Sequence, residues 1–308
     1  MIDCVLLFAG QGAQKVGMGK DLVEGSPIAK ELFERADEVL GRDLSNILFE
    51  GPEEELTKTA NCQPALFVHG LAMWSILKEA CPELNPVAAA GLSLGEMTAH
   101  TAAGSFTFEE GLRVVAKRGL LMDEACAQTE GAMAAMVGGD EDAVRALAEE
   151  SGVDVANLNA PGQIVLSGKV EGIDKAVADA KARKIKLAKK LKVAGAYHSR
   201  LMASAQEKLG PVLAEAEISE PNYAVISNYL AEAVTEPAVI RETLEKQVTG
   251  SVRWVESIRL LREQGCQLFL ELGPGKVLSG LMTRIDKEAT IETAGDWESL
   301  QEMIGKVK

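Results

Sequence analysis

The sequence predicts an α/β fold in which a mostly parallel sheet, covered by helices on both faces, is interrupted by a smaller β-α-β-β-α-β unit. Three observations predict it. Short apolar runs alternate with helical patterns over most of the chain, as crossover-connected parallel strands require. The 308 residues, 47% hydrophobic and 25% charged, supply one large core with an insertion, or two domains, without disulfide staples. In the middle of the chain the element order changes to strand, helix, two strands, helix, strand, which is the ferredoxin-like order.

Taken in order, residues 3–8 (DCVLLF) form a first buried strand that runs into the turn Gly10-Gln11-Gly12. Ser26 and Pro27 start a helix, one as N-cap and the other at the first helical position, that extends to about 40. A second helix covers about 64–79. A short strand over 87–90 breaks at Gly91 and resumes as helix near Gly95. Thr107 and Glu110 are spaced as a capping box for a helix reaching about 126. The insert then reads as strand 131–138, helix 140–151, strands 153–158 and 163–167 around Asn159-Ala160-Pro161-Gly162, helix 170–183 and strand 185–190. Helix 199–216, strand 224–227, helices 237–248 and 253–264, strand 267–271, helix 276–285, strand 289–293 and helix 297–305 complete the chain. The expected division is a large domain of 1–127 and 195–308 around an insert of 128–194.

The charge balance narrows the function classes. Against 32 Lys+Arg stand 46 Asp+Glu, a formal net charge of -14, whereas a surface that grips nucleic acid by its phosphates is basic. No apolar run approaches the roughly 18 residues of a membrane span. MIDCVLLFAG has neither a basic n-region nor a small-residue cleavage site, so a cytoplasmic protein without nucleic-acid or membrane partners is expected. Cys4, Cys62, Cys81, Cys126 and Cys266 are odd in number and contain no CxxC, which predicts neither a disulfide framework nor a zinc site. None of His69, His100 and His198 sits at metal-ligand spacing, so neither a metal nor a cofactor is expected.

One motif carries chemistry. Gly91-Leu92-Ser93-Leu94-Gly95 is G-x-S-x-G between a predicted strand and a predicted helix, the context that a nucleophile elbow needs. Glycines flank the serine because side chains there would clash on so tight a turn. The turn exposes the hydroxyl, and the next amide and the helix N-terminus face a developing oxyanion. By composition the motif arises on the order of 0.1 times in such a chain, so a chance glycine turn is the minority explanation. A serine nucleophile needs a base. His198, on a polar loop in Gly195-Ala196-Tyr197-His198-Ser199, suits that role better than His69 or His100, which fall within helices. Two glycine motifs suggest nucleotide sites and fail. Gly10-Gln11-Gly12 has Lys15 where a third glycine belongs, and Gly273-Pro274-Gly275-Lys276 has Leu270 and Val277 at the outer P-loop positions.

Seven ordered stretches together resemble one family, the malonyl-CoA:acyl carrier protein transacylases of fatty acid synthesis. They are Phe8-Ala9-Gly10-Gln11-Gly12, Gln63-Pro64-Ala65, GLSLGE at 91–96, AKRG with Arg118, Asn159-Ala160-Pro161-Gly162-Gln163, GAYHS at 195–199 with Gln247 beyond it, and Glu271-Leu272-Gly273-Pro274-Gly275-Lys276. The resemblance spans almost the whole chain. It implies a hydrolase-like, mostly parallel sheet domain with an inserted ferredoxin-like subdomain. It also implies ping-pong transfer of malonyl from malonyl-CoA to the carrier's phosphopantetheine thiol. Carried over by position, Ser93 is the nucleophile, His198 the base, and the Gln247 carbonyl orients the imidazole. The amides of Gln11 and Leu94 form the oxyanion hole. Arg118 pairs with the malonyl carboxylate, and Gln63 and Asn159 help bind substrate. On its own residues Arg118 would read as a solvated helix position, as Arg113 and Lys117 do; only the motif lifts it. The family's elbow usually has His where this chain has Leu92, and because the base is a separate His, activity is expected to survive the departure. The tetrapeptide ending at His198 is closer to the malonyl-type than to the methylmalonyl-type pattern of related polyketide acyltransferases.

An acidic carrier protein fits poorly on a protein of charge -14. The tract 181–192, KARKIKLAKKLK, concentrates basic residues without any acid. It reads equally as a lysine-protected edge strand or as a landing site for the carrier, with Lys189 and Lys190 central. A monomer is expected. The competing functions are a polyketide-pathway acyltransferase, a serine hydrolase or thioesterase, and a non-catalytic carrier-binding protein.

Overall fold

The computed structural model describes residues 1–308. Six strands form the main sheet: β1 (Ile2–Phe8), β2 (Leu84–Gly91), β7 (Ala224–Ile226), β8 (Ala233–Val234), β9 (Leu268–Leu272) and β10 (Thr290–Ala294), in the order β10-β9-β1-β2-β7-β8. Every pairing is parallel except β7 with β8. β1 lies in the middle and is buried from Cys4 to Phe8. Its alternate side chains serve both faces, with Cys4, Leu6 and Phe8 in the core on one side and Val5 and Leu7 in the core on the other. That is why the stretch reads as a continuous apolar run rather than as an alternation.

The second sheet contains β3 (Gly131–Val137), β4 (Asp154–Ala160), β5 (Gln163–Lys169) and β6 (Leu187–Lys190), antiparallel in the order β4-β5-β3-β6. This is the ferredoxin-like arrangement expected from the element order. Its helices α8 (Glu141–Ser151) and α9 (Val170–Asp179) cover one face, where Val144, Leu147 and Ile173 pack on Met136, Ile164 and Leu166. From the other face Met133, Ala156 and Val165 join the core of the main sheet. The insert is thus packed against the main sheet's core.

The remaining helices are α1 (Lys20–Gly25), α2 (Pro27–Leu40), α3 (Leu44–Glu50), α4 (Glu53–Thr57), α5 (Thr59–Ala80), α6 (Leu94–Ala102), α7 (Phe108–Gln128), α10 (Ala203–Glu215), α11 (Pro237–Lys246), α12 (Trp254–Glu263), α13 (Val277–Ile285) and α14 (Trp297–Val307). Several boundaries differ from the sequence expectation. α5 begins at Thr59 instead of at Pro64, so a proline lies inside the helix. The carbonyl that this proline leaves without a donor, on Ala60, accepts from Arg42 Nη2 at 2.8 Å. The first amides of α5, on Thr59 and Ala60, donate to Asp123 of α7 at 3.2 and 2.8 Å. Both the missing bond and the cap are supplied from distant sequence, so no local signal marked them. Thr107 caps α7 by accepting from Glu110 N–H at 3.2 Å, while the Glu110 carboxylate lies 3.5 Å from Arg113. Residues 180–183 form a 3-10 turn after α9, and 200–202 form another before α10. Asn159 and Ala160 belong to β4, so the reversal falls on Pro161 and Gly162. α1, α3, α4 and β8 are short elements that the sequence pattern did not separate from loop.

Candidate active site

Ser93 occupies the turn between β2 and α6, at the C-terminal edge of the parallel sheet. Its φ is 57°, a left-handed backbone that costs energy for any residue with a side chain. The flanking glycines are sterically required. A Cβ on Gly91 would lie 2.0 Å from the Gly95 backbone, and one on Gly95 would lie 2.2 Å from the Phe8 carbonyl oxygen. Gly10 likewise has no room for a side chain, since its Cβ would stand 2.4 Å from the Leu92 carbonyl oxygen. The Gly10–Gly12 turn therefore lies directly against the elbow. The Leu92 side chain packs on the apolar core beneath the sheet.

Asn228, just beyond β7, holds the strained turn. Its Oδ1 accepts from Ser93 N–H at 2.6 Å and its Nδ2 donates to the Gly91 carbonyl at 2.8 Å. The Ser93 carbonyl accepts from Gln247 Nε2 at 3.0 Å. Ser93 Oγ is 2.8 Å from His198 Nε2, and His198 Nδ1 is 2.9 Å from the Gln247 carbonyl oxygen. The main-chain carbonyl can only accept, so Nδ1 carries the proton and Nε2 accepts from the serine hydroxyl. His198 also has a left-handed backbone, φ 54°. Burial, and then the charge of Arg118, push its pKa down to about 4, so the imidazole is neutral near pH 7 and free to act as a base.

Arg118 of α7 is 1% exposed, unlike Arg113 and Lys117 on the outer face of the same helix. Its Nη1 donates to Gln63 Oε1 at 2.7 Å, and its Nη2 donates to Ser93 Oγ at 3.1 Å and to Gln247 Oε1 at 2.8 Å. Burial lowers its pKa to about 10, which leaves it a cation at neutral pH. A buried positive fork thus lies within hydrogen-bond reach of the hydroxyl. Leu94 opens α6, and the two amides after it, on Gly95 and Glu96, donate to the Leu92 and Ser93 carbonyls at 3.0 and 3.1 Å. Gln11 leans on the same assembly through Nε2, 3.5 Å from Thr59 Oγ1, which is itself 2.7 Å from Tyr197 Oη.

The structure therefore brings together Ser93, His198, Gln247, Arg118 and Gln63. Asn159 lies on β4, its buried Oδ1 without a partner, and no hydrogen bond ties it to the Ser93 group. Lys189 and Lys190 are exposed on edge strand β6, and Lys190 pairs with Asp174 at 2.6 Å. His69 and His100 are buried helix residues, as expected. Four polar residues of the site escaped the sequence: Asn228, Glu96, Thr59 and Tyr197. Glu96 closes the elbow motif and Tyr197 precedes His198, so adjacency was an available signal for both. Asn228 follows a strand of the parallel sheet, the usual place for a site residue in such folds. Thr59 offered no signal.

A serine on a strained turn, hydrogen-bonded to a neutral histidine above the C-terminal edge of a parallel sheet with an antiparallel insert, defines the class of α/β enzymes that work through a serine nucleophile. The acyl transferase domain model matches residues 5–304. Malonyl CoA-acyl carrier protein transacylase of Bacillus subtilis is 44% identical over 313 aligned positions, covering 100% of this chain and 98% of that protein. Among solved structures, the Coxiella burnetii malonyl CoA-acyl carrier protein transacylase superposes with a TM-score of 0.95 at 36% identity, covering 99% and 98% of the two chains. A malonyl-transacylase solved in complex with its type II polyketide acyl-carrier protein superposes equally well, with a TM-score of 0.95 at 36% identity and 99% of each chain covered. The chain belongs to the malonyl CoA-acyl carrier protein transacylase family.

Proposed function

We propose that the protein transfers malonyl from malonyl-CoA to the phosphopantetheine thiol of acyl carrier protein, through a malonyl ester on Ser93, and so supplies fatty acid elongation. The observation that carries this reading is the buried Arg118 guanidinium 3.1 Å from Ser93 Oγ. The Nη2 that donates to this oxygen is placed to take the carboxylate of an acyl group attached there, and a planar fork suits a carboxylate. An acetyl group carries no anion and would leave the buried cation hydrogen-bonded only to the neutral amides of Gln63 and Gln247.

In the first half-reaction His198 Nε2 takes the hydroxyl proton as Ser93 Oγ attacks the thioester carbonyl. The tetrahedral oxyanion sits between the Gln11 and Leu94 amides, each worth roughly 3–4 kcal/mol of barrier. The C–S bond then breaks, and the imidazolium returns its proton to the leaving thiolate. In the second half the carrier thiol gives its proton to His198 and attacks the ester carbonyl, and Ser93 leaves with that proton. Gln63 holds the Arg118 fork, and the free Asn159 oxygen is an acceptor for the substrate. Neither a metal nor a cofactor takes part. The carrier lands on Lys189 and its basic neighbours, with Lys190 already balanced in part by Asp174. The enzyme works as a cytoplasmic monomer, and no helix is long and apolar enough to cross a membrane.

Intact-mass measurement after mixing with malonyl-CoA tests the scheme. A malonyl adduct is expected on the wild type, absent in Ser93→Ala, and discharged by a carrier thiol much faster than by water. No adduct on the wild type would overturn the acyl-serine step. Discharge by water at the carrier's rate would make the protein a thioesterase.

A further inference from the structure

The mechanism above does not use Glu96. It lies in the first turn of α6 and is wholly buried. Its Oε2 accepts from the Asn228 N–H at 2.9 Å and from Gln247 Nε2 at 2.7 Å, while its Oε1 has no hydrogen-bond partner. The same Gln247 side chain accepts from Arg118 Nη2 on its Oε1. One amide thus bridges a buried carboxylate and a buried guanidinium. Arg118, on α7, is the charged group that faces Glu96. The His198 loop contributes a neutral imidazole, α6 itself contributes the neutral His100 held by Ser105, and the β7 and α11 ends contribute Ser227, Asn228 and Gln247.

Charge counting then has a consequence. With the hydroxyl free, this buried pocket holds one cation and one anion. On the reading that Arg118 receives the malonyl carboxylate, loading brings a second anion to the same cation, and two buried carboxylates cannot share it cheaply. We propose that Glu96 is a positioning residue that takes a proton from solvent onto Oε1 when malonyl is loaded and releases it when the carrier removes the acyl group. Arg118 then faces a single negative charge in both states, and malonyl binding is linked to proton uptake. Burial already pushes the carboxyl up to about 7, outweighing the opposite pull of Asn228, Gln247, Arg118 and Ser227. Little further change is needed to protonate it near neutral pH.

The test measures protons taken up per loaded enzyme on mixing with malonyl-CoA in weak buffer. The loaded fraction is read by intact mass, and the ionisation of the released thiol is corrected with free CoA. Uptake is expected at about pH 7.5 and is expected to fade towards pH 5.5, where Glu96 already holds its proton. Glu96→Gln, the neutral isostere, should show no uptake. The wild-type kcat/KM for malonyl-CoA should fall above neutrality by up to about tenfold per pH unit, and that of Glu96→Gln should stay flat. Absence of uptake in the wild type at about pH 7.5 overturns the proposal, as does a Glu96→Gln profile that copies the wild type. Uptake that grows towards acid assigns the proton to His198 and overturns it too. If Glu96→Gln does not fold, the wild-type pH trend decides alone. Arg118→Gln separates the two readings: if it loads malonyl as fast as the wild type, the carboxylate site itself is wrong. If it loses loading while the wild type takes up no proton, only the Glu96 proposal fails.

Discussion

Two regions of this molecule handle charge in opposite ways. At the C-terminal edge of the main sheet, Arg118, Glu96, His198 and Gln247 are buried, and each is tied to named partners at 2.7–3.1 Å. Along edge strand β6 and the residues on either side of it, Lys181, Lys184, Lys186, Lys189 and Lys192 are exposed, and no acid lies within 4.0 Å of them. Only Arg183 and Lys190 of that tract are paired, with Glu150 and Asp174. The first region depends on position, because a buried polar group that loses its partner costs its full desolvation. The second region depends on field, which falls off smoothly and is screened by salt. Changes in the first should be severe and confined to single residues. Changes in the second should be mild and spread across neighbours.

The harshest way to break that contrast is at the elbow. Gly95→Ala places a methyl 2.2 Å from the Phe8 carbonyl oxygen, so we expect a loss of roughly 3 kcal/mol or more in urea unfolding and no acyl adduct. A variant within about 0.5 kcal/mol of the wild type would show that the turn is not tight. Asn228→Ala removes the acceptor of the Ser93 N–H and the donor to Gly91. The expected result is a folded protein whose loading rate drops about 100-fold, the usual cost of a misplaced nucleophile; a drop of less than threefold would acquit Asn228.

Titration probes the buried region as a whole. His69 and His198 are held down to about 4 and His100 to about 3, all by burial. Each binds its proton more readily when unfolded, so stability should decline as pH falls from about 6.5 towards 4. Glu96, raised to about 7, and Glu271, also raised by burial, act with the opposite sign above the ordinary carboxylate range, but they are two groups against three. Urea midpoints that stay constant between pH 6.5 and 4 would contradict this. The smallest effect belongs to the basic edge. Charge reversal at Lys189 and Lys190 should raise KM for the carrier several-fold at low salt, less at high salt, and leave KM for malonyl-CoA unchanged. Lys189 should account for most of it, since Lys190 is already paired. Equal effects on both substrates would remove the docking role.

Much of the fold was legible because it depends on local pattern. The doubly buried run of β1, the Ser26-Pro27 helix start and the change to strand-helix-strand-strand-helix-strand order each use short-range signals, and each appears where expected. The start of α5 was not legible, because its cap is Asp123 and its spare carbonyl goes to Arg42. Within the site, Ser93 was marked by its glycines and His198 by elimination. Arg118 was visible only through family resemblance, since helix position alone cannot distinguish it from Lys117. Asn228 and Thr59 act through contacts across more than a hundred residues, to Ser93 and Tyr197 respectively. No window on the sequence contains both partners.

Gln247 has a consequence for how such an enzyme diversifies. Its main-chain carbonyl accepts from His198 Nδ1, while its side chain joins Arg118 to Glu96 and also donates to the Ser93 carbonyl at 3.0 Å. The first contact survives any substitution that keeps the backbone in place, whereas the others depend on the amide itself. A new side chain at this one position therefore reaches the buried charges and the strained serine turn together, and the two cannot be retuned separately there.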